Sequence, residues 1–366
     1  MPTRWYHLKR KNQTLIWCLG SVLGSVFVCG LLLACFDLFT KEDLIGTALP
    51  MDQEDGKERA TKKALVPETK AEEGSLFTSM HLWKAVEGRP AYGGQLFTHL
   101  LNVALKEKPD FKVFTSECTF KKPASTQQTI TYQIVKDIPI GTSLADVFIE
   151  GYQPNKDGDP ELVVYGKTSM ARGSQRQHEE PVSLAAEDHL SEYFPRGLPD
   201  KEKMAQMLRP EEYVEKRFGT KGMTEERKTI YQKVVEADLR FLDLEGSKWK
   251  RCISFTRHPT SATNPSTSAT KAKYIFLSFC SDAFLLETAT MAVNEDITSK
   301  TLNILSVTHS VRFVDVDAFE MDQVFFFSIT VHAVNNNTAY CTGNIIQNDR
   351  IIAYVSQNGV IRKKKL

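Results

Sequence analysis

The sequence predicts an α+β chain made of two similar units, each an antiparallel sheet wrapped around one central helix, behind an N-terminal transmembrane helix. Three observations predict it. A helix followed by several strands occurs twice in the same order. Both helix candidates are apolar on several faces, as expected of helices enclosed by other structure. A third apolar run, near the N-terminus, stands apart from both units.

That N-terminal run, Leu15 to Phe36, is uncharged and rich in Leu, Val, Gly and Cys. As a helix rising ~1.5 Å per residue it would cover roughly 33 Å, enough for a hydrocarbon core of about 30 Å. Arg4, Lys9, Arg10 and Lys11 precede it, and Asp37, Lys41, Glu42 and Asp43 follow. The positive-inside bias makes 1–36 a cytosolic basic tip plus a single-pass anchor. A cleaved signal peptide is the rival reading, but the run is longer than a usual h-region. Residues 37–74 are charged and poor in aromatics, which reads as a tether.

The first unit is expected over 75–175. Gly93 to Lys106 is its helix, with Leu96, Phe97, Leu100, Leu101, Val103, Ala104 and Leu105 as apolar positions. Val113–Phe120, Thr129–Val135, Ser143–Tyr152 and Leu162–Met170 read as strands, Thr129 to Ile134 with clean alternation. A polar linker over 176–229 contains Pro195, Pro199 and Pro210 and a helix candidate near Lys201–Leu208.

The second unit is expected over 230–366. Val234–Leu242 and Arg251–Arg257 read as extended, Pro259 to Thr270 as a loop, and Ala272 to Val293 as a very apolar helix. Leu302–Phe313, Gln323–Ala333, Ala339–Ile346 and Ile351–Gln357 follow as strands, the last ending in a turn and a basic tail.

Composition excludes several functions. Net charge is +1 without a basic stretch in the folded part, which argues against nucleic-acid binding. Cys18, Cys29 and Cys35 lie in the apolar run; Cys118, Cys252, Cys280 and Cys341 are scattered and form no CxxC pair. Neither a metal site nor a disulfide framework is expected. No phosphate-binding or dinucleotide-binding glycine motif is present, and no cofactor is expected. Gly141-Thr142-Ser143-Leu144-Ala145 is one residue short of a nucleophile elbow and reads as a turn.

Three polar residues occupy apolar surroundings. Asp282 interrupts Tyr274 to Leu286, Ser306 lies in Leu305 to Ser310, and Gln357 lies within Ser356 to Arg362. A carboxylate in such a run is either a satisfied helix residue or a buried base, and a buried amide is costly without partners. Taken in order with Tyr92-Gly93-Gly94-Gln95, these segments resemble the acyl-CoA thioesterase II family, which includes the peroxisomal acyl-CoA thioesterases and has a double-hotdog fold. The resemblance runs from about Leu76 to Arg362. It is carried by Asp282 before its Leu/Phe-rich turn, by Ser306 three residues before His309-Ser310, and by Gln357. Asn358 replaces the family's acid after the glutamine, and Thr308 replaces its aspartate before His-Ser. Lys122-Pro123-Ala124 stands where the family has Arg-Pro-Gly.

The resemblance implies hydrolysis of fatty acyl-CoA by a water that Asp282, Ser306 and Gln357 activate. It also implies substrate or oxyanion contacts at Gly93, Gly94 and Gln95, no cofactor or metal, and membership of a homo-oligomer. A Ser306–His309 or Ser306–His332 dyad is an open alternative, since sequence spacing says nothing about proximity. So is a non-catalytic, membrane-tethered hotdog that binds acyl-CoA or lipid. A hydratase on the same fold needs an aspartate–histidine pair at the helix, where only His99 is found. The remaining expectation is a membrane-anchored protein, peroxisomal or endomembrane, with the lipid bilayer as a partner through residues 15–36.

Overall fold

A computed structural model describes residues 69–72, 76–79, 81–83, 90–173, 190–195, 204, 207–209, 212–213, 215–216, 237–243, 247–257, 269–293 and 302–363. The run Leu15–Phe36 and the tether up to 68 lie outside the described residues. No helix among the described residues is long and apolar enough to cross a membrane.

Chain order is β1 (Thr69–Glu72), β2 (Leu76–Ser79), α1 (Gly93–Glu107), β3 (Phe111–Phe120), β4 (Thr131–Ile140), β5 (Leu144–Pro154) and β6 (Pro160–Arg172). It continues with β7 (Ala237–Asp243), β8 (Lys250–Arg257), α2 (Ala269–Ser281), α3 (Ala289–Ala292), β9 (Leu302–Phe313), β10 (Phe325–Asn335), β11 (Thr338–Gln347) and β12 (Arg350–Lys363). The helix-then-strands order does occur twice.

The two expected sheets are one. The twelve strands among the described residues form a single antiparallel sheet in the order β1-β2-β4-β5-β6-β3-β9-β12-β11-β10-β8-β7. The seam is the pairing of β3 with β9, from Thr115 opposite Arg312 to Thr119 opposite Thr308. Each half would otherwise present an open strand edge there, and the two edges satisfy each other.

Residue-level repetition is visible about this seam. The β3–β6 ladder skips Phe114 and the β9–β12 ladder skips Val307, so each half carries one bulge on its seam strand. At the end of β5, the Gln153 amide accepts from the Ser125 N–H (2.8 Å) and donates to the Ser125 carbonyl (2.7 Å). At the end of β11, the Gln347 amide treats Glu320 in the same way, at 2.7 and 2.9 Å.

Residues 94–105 of α1 are all buried, which is why its sequence is apolar on several faces. The helices meet through a buried Thr98–Ser278 hydroxyl contact of 3.1 Å. On its other side α2 places Tyr274 edge-on to Phe313 and Phe276 edge-on to Phe325. One hydrophobic core runs through both halves.

Four further expectations change. The apolar helix stops at Ser281, not Val293; a turn follows in which Phe284 has a left-handed φ of 61°, and α3 is separate. The final strand does not end at Gln357. β12 continues to Lys363, and Gly359 is no turn, because a side chain there would collide with Leu286 and the Leu305 carbonyl. The tether expectation overlaps β1, which pairs with β2. Finally, described parts of the linker are packed: Leu190, Tyr193, Phe194 and Met204 join Cys252, Phe326, Ile346 and Ile351 in a second small cluster.

Candidate active site

Asp282 is the first residue beyond α2, and the chain leaves the helix there because of the turn that Phe284 completes. The turn carries the carboxylate to the N-terminal end of α1, in the other half of the molecule. α1 has no side-chain cap of its own at Tyr92 and no acidic residue in its first turn. The Gly94 N–H donates to Asp282. An acid at a helix N-terminus gains from unpaired N–H groups and from the helix dipole, so Asp282 caps α1 from across the molecule. Gly93 leaves the space: a Cβ there would lie 3.0 Å from Asp282 Oδ2 and 3.2 Å from Phe120 Cζ.

Gln357 is fully buried in mid-strand on β12. Its Nε2 donates to Asp282 Oδ1 at 2.5 Å and to Ser306 Oγ at 2.7 Å, so one amide nitrogen links the other two. The three residues picked from sequence therefore converge on one point, from the α2 turn, β9 and β12. Ser306 arrives through the bulge. His309 faces Gln357 across the ladder, and strict alternation would send Ser306 to the opposite face; skipping Val307 pairs Ser306 with Gly359 and turns it back beside Gln357.

Burial pushes the Asp282 carboxyl up from its ordinary 3.8 to about 7, and the Glu287 charge pushes the same way. The Gln357 and Gly94 hydrogen bonds oppose the rise. Tyr92 lies near Asp282, its hydroxyl donating to the Phe279 carbonyl at 3.0 Å. Burial, and then the nearby Asp282, hold that phenol well above its usual range.

Other candidates have different surroundings. The Gln95 amide is committed to the preceding segment, accepting from the Trp83 N–H and donating to the His81 carbonyl, both at 2.7 Å. His332 is exposed and pairs with Thr342 Oγ1 at 2.6 Å. His309 Nε2 contacts Ser281 Oγ at 2.8 Å, so neither histidine forms the serine dyad. His99 meets the Tyr132 hydroxyl at 2.9 Å inside the core, a satisfied buried pair. Cys118, Cys252, Cys280 and Cys341 are buried thiols outside any disulfide, and no metal-binding cluster occurs among the described residues.

The sequence-level departures also find a place. Asn358 Nδ2 donates to Thr308 Oγ1 at 3.0 Å on the exposed face of the sheet, opposite to buried Gln357. Among the described residues, the first half holds no second copy of the site. Counting from the two bulges, Val113 stands for Ser306, Ser116 for His309 and Thr168 for Gln357, and the Ser116 and Thr168 hydroxyls simply bond each other at 2.9 Å.

A turn-borne carboxylate, a bulge-borne hydroxyl and a buried bridging amide thus lie within one half. Residues 225–360 match the family model described as acyl-CoA thioesterase, and all three groups fall inside that span. This segment is similar to acyl-CoA thioesterases. No curated protein matches the chain. Among solved structures, the chain is similar to the acyl-CoA thioesterase II TesB2 of Mycobacterium marinum, with 16% identity, a TM-score of 0.54, and coverage of 82% of this chain and 96% of that one. It is also similar to a conserved protein of unknown function with a hot dog fold from Alicyclobacillus acidocaldarius, with 13% identity, a TM-score of 0.56, and coverage of 82% and 97%. At such identities the likeness establishes the hotdog fold, and the thioesterase family match is confined to residues 225–360.

Sequence reasoning missed Val307, Glu287, Ser281 and the role of Gly359. Glycine two residues after Gln357 signals either a turn or a close approach, and only the packing of Leu286 separates the two. The Val307 bulge left no signal, because Ser-Val-Thr-His reads as an ordinary strand.

Proposed function

We propose that this chain hydrolyses the thioester of fatty acyl-CoA to free fatty acid and CoA. The observation that carries the reading is the forked Gln357 amide, which bonds a carboxylate raised to about 7 and a serine hydroxyl at once. A base poised near the working pH combines adequate ionisation with adequate basicity. Asp282 takes one proton from a water held by Ser306, while Gln357, with both N–H groups engaged, keeps the carboxylate and the hydroxyl in place around it. The water oxygen adds to the thioester carbonyl carbon, the C–S bond breaks as the adduct collapses, and Asp282 returns its proton to the departing CoA sulfur. No covalent intermediate is required.

Gly93 and Gly94, at the N-terminal end of α1, border the reacting carbonyl, and the helix dipole there favours the developing oxyanion. Gln95 takes a supporting part by fixing residues 81–83 beside them. Residues 15–36 anchor the protein in a peroxisomal or endomembrane bilayer, and the hotdog unit assembles as a homo-oligomer.

Thiol release from acyl-CoA of graded chain length, using the full chain in mild detergent, tests the reading. Hydrolysis that Asp282→Asn abolishes supports it. Absence of hydrolysis at every length, with acyl-CoA still bound, would leave a binding protein instead.

A further inference from the structure

One buried group in the site is unused by the scheme above. His309 sits on β9 opposite Gln357, almost completely buried, with its ring edge-on to Phe97 at 4.7 Å. Burial holds it down at about 3, so the ring is neutral and carries a single N–H. Its tautomer can be derived. Ser281 Oγ lies 2.8 Å from His309 Nε2, and that hydroxyl donates its only proton to the Ser278 carbonyl, also at 2.8 Å. Ser281 can therefore only accept from the ring, which puts the proton on Nε2. Nδ1 is left with a bare lone pair.

That lone pair lies 4.0 Å from Asp282 Oδ1 and has no partner among the described residues; Gln357 Oε1 is equally buried and equally unpartnered. Two acceptors at this distance cannot bond each other. They can both accept from one water oxygen placed about 2.8 Å from each, an ordinary hydrogen-bond length at an angle near that of water's own hydrogens. We propose that His309, locked in its Nε2–H tautomer by Ser281, is a further residue of the reaction. Its Nδ1 accepts the second hydrogen of the attacking water while Asp282 takes the first.

The inference rests on the hydrolase reading and assigns the orientation of that water. His309 receives a hydrogen bond and no proton. The second hydrogen stays on the oxygen that becomes part of the fatty acid, and leaves with the product. A water held by two acceptors points its oxygen lone pair away from both, toward the carbonyl carbon.

Two amide replacements separate the roles of the two ring nitrogens. His309→Asn can set an amide oxygen near the Nδ1 position, keeping the acceptor and losing the Ser281 contact. His309→Gln reaches the Nε2 position, keeping the Ser281 contact and losing the acceptor. The acceptor role predicts that Asn keeps kcat within a few-fold while Gln loses at least about tenfold in kcat with KM little changed. The reverse order, or equal losses, overturns it. Imidazole ¹⁵N NMR of the wild type gives an answer independent of activity: a protonated Nδ1 at neutral pH overturns the proposal even if neither variant folds. Absence of hydrolysis by the wild type removes this role together with the reaction. Hydrolysis with a fully active His309→Gln removes the role alone.

Discussion

Ser306 reaches Gln357 because Val307 is looped out of the ladder between them. His309 and Ser306 are three residues apart on β9, yet they pair with Gln357 and Gly359, two apart on β12. An odd step on one strand against an even step on the other places a hydroxyl on the inner face that strict alternation would put outside.

The close approach on β12 can be tested directly. A methyl at Gly359 would lie 2.2 Å from Leu286 Cδ2 and 2.8 Å from the Leu305 carbonyl. Gly359→Ala is expected to cost about 1–3 kcal/mol of stability, the scale of overpacking, and to lower activity by shifting Ser306. Adding Leu286→Ala should return part of the stability in chemical denaturation. No loss in the single variant would mean that the strand can move aside freely.

Acid should switch the reaction off. Only ionised Asp282 can act as base, so kcat/KM is expected to fall tenfold per pH unit below about 7. Glu287→Gln removes a neighbouring negative charge that helps to raise Asp282, so the acid limb should move to lower pH. A limb that stays in place would assign it to another group.

Stability should vary with pH in the opposite sense from that set by an acid ion-paired in the fold. The Asp282 carboxyl goes from its ordinary 3.8 to about 7 on folding, equivalent to roughly 4 kcal/mol at ~1.4 kcal/mol per pH unit. Because the folded value is raised, the stabilising contribution is complete below about pH 4. It is lost as pH rises toward and through 7. Asp282→Asn escapes that loss, so its melting temperature relative to wild type should climb between pH 5 and pH 8 while hydrolysis falls at least about 10²-fold. A constant difference across that range would show that the carboxyl is not raised.

Ser306→Ala and Gln357→Ala should each reduce kcat, and the double variant should lose little more than the worse single one. Residues that hold one water as a unit give strongly non-additive losses. Strictly additive losses, measured in a thiol-release cycle, would separate the two residues into independent roles.

Topology has its own probe. Asn336 is exposed in the tight turn between β10 and β11, with φ of 49° there and 65° at Asn337, and it opens the sequon Asn336-Asn337-Thr338. If the N-terminus is cytosolic and residues 15–36 span the membrane, Asn336 faces the lumen, and Asn336→Gln should abolish a glycosidase-sensitive gel shift. No shift in the wild type, with protease access from the cytosolic side, would reverse the orientation.

The helix positions and strand alternation were readable because they are local. The period of α1 and the alternation of Thr131 and Tyr132 are written in consecutive residues. Asp282, Ser306 and Gln357 were legible as polar residues in apolar runs. Their convergence was not, because it depends on a left-handed Phe284, a bulge at Val307 and a pairing of β9 with β12 across some fifty residues, as in Ser306 with Gly359. The merging of the halves was hidden for a related reason: nothing in Thr115 to Thr119 tells which strand edge will meet it.

The cap that Asp282 places on α1 has a consequence for inheritance. The half with all three polar groups depends on a helix start encoded nearly two hundred residues upstream, and that helix start has no capping side chain of its own. Neither gene segment can be borrowed, shuffled or shed without impairing the other. The first half carries Val113 and Thr168 where the second carries Ser306 and Gln357, yet it supplies the amide that holds the carboxylate, so substitutions at Gly93 and Gly94 should impair the site as those at Asp282 do.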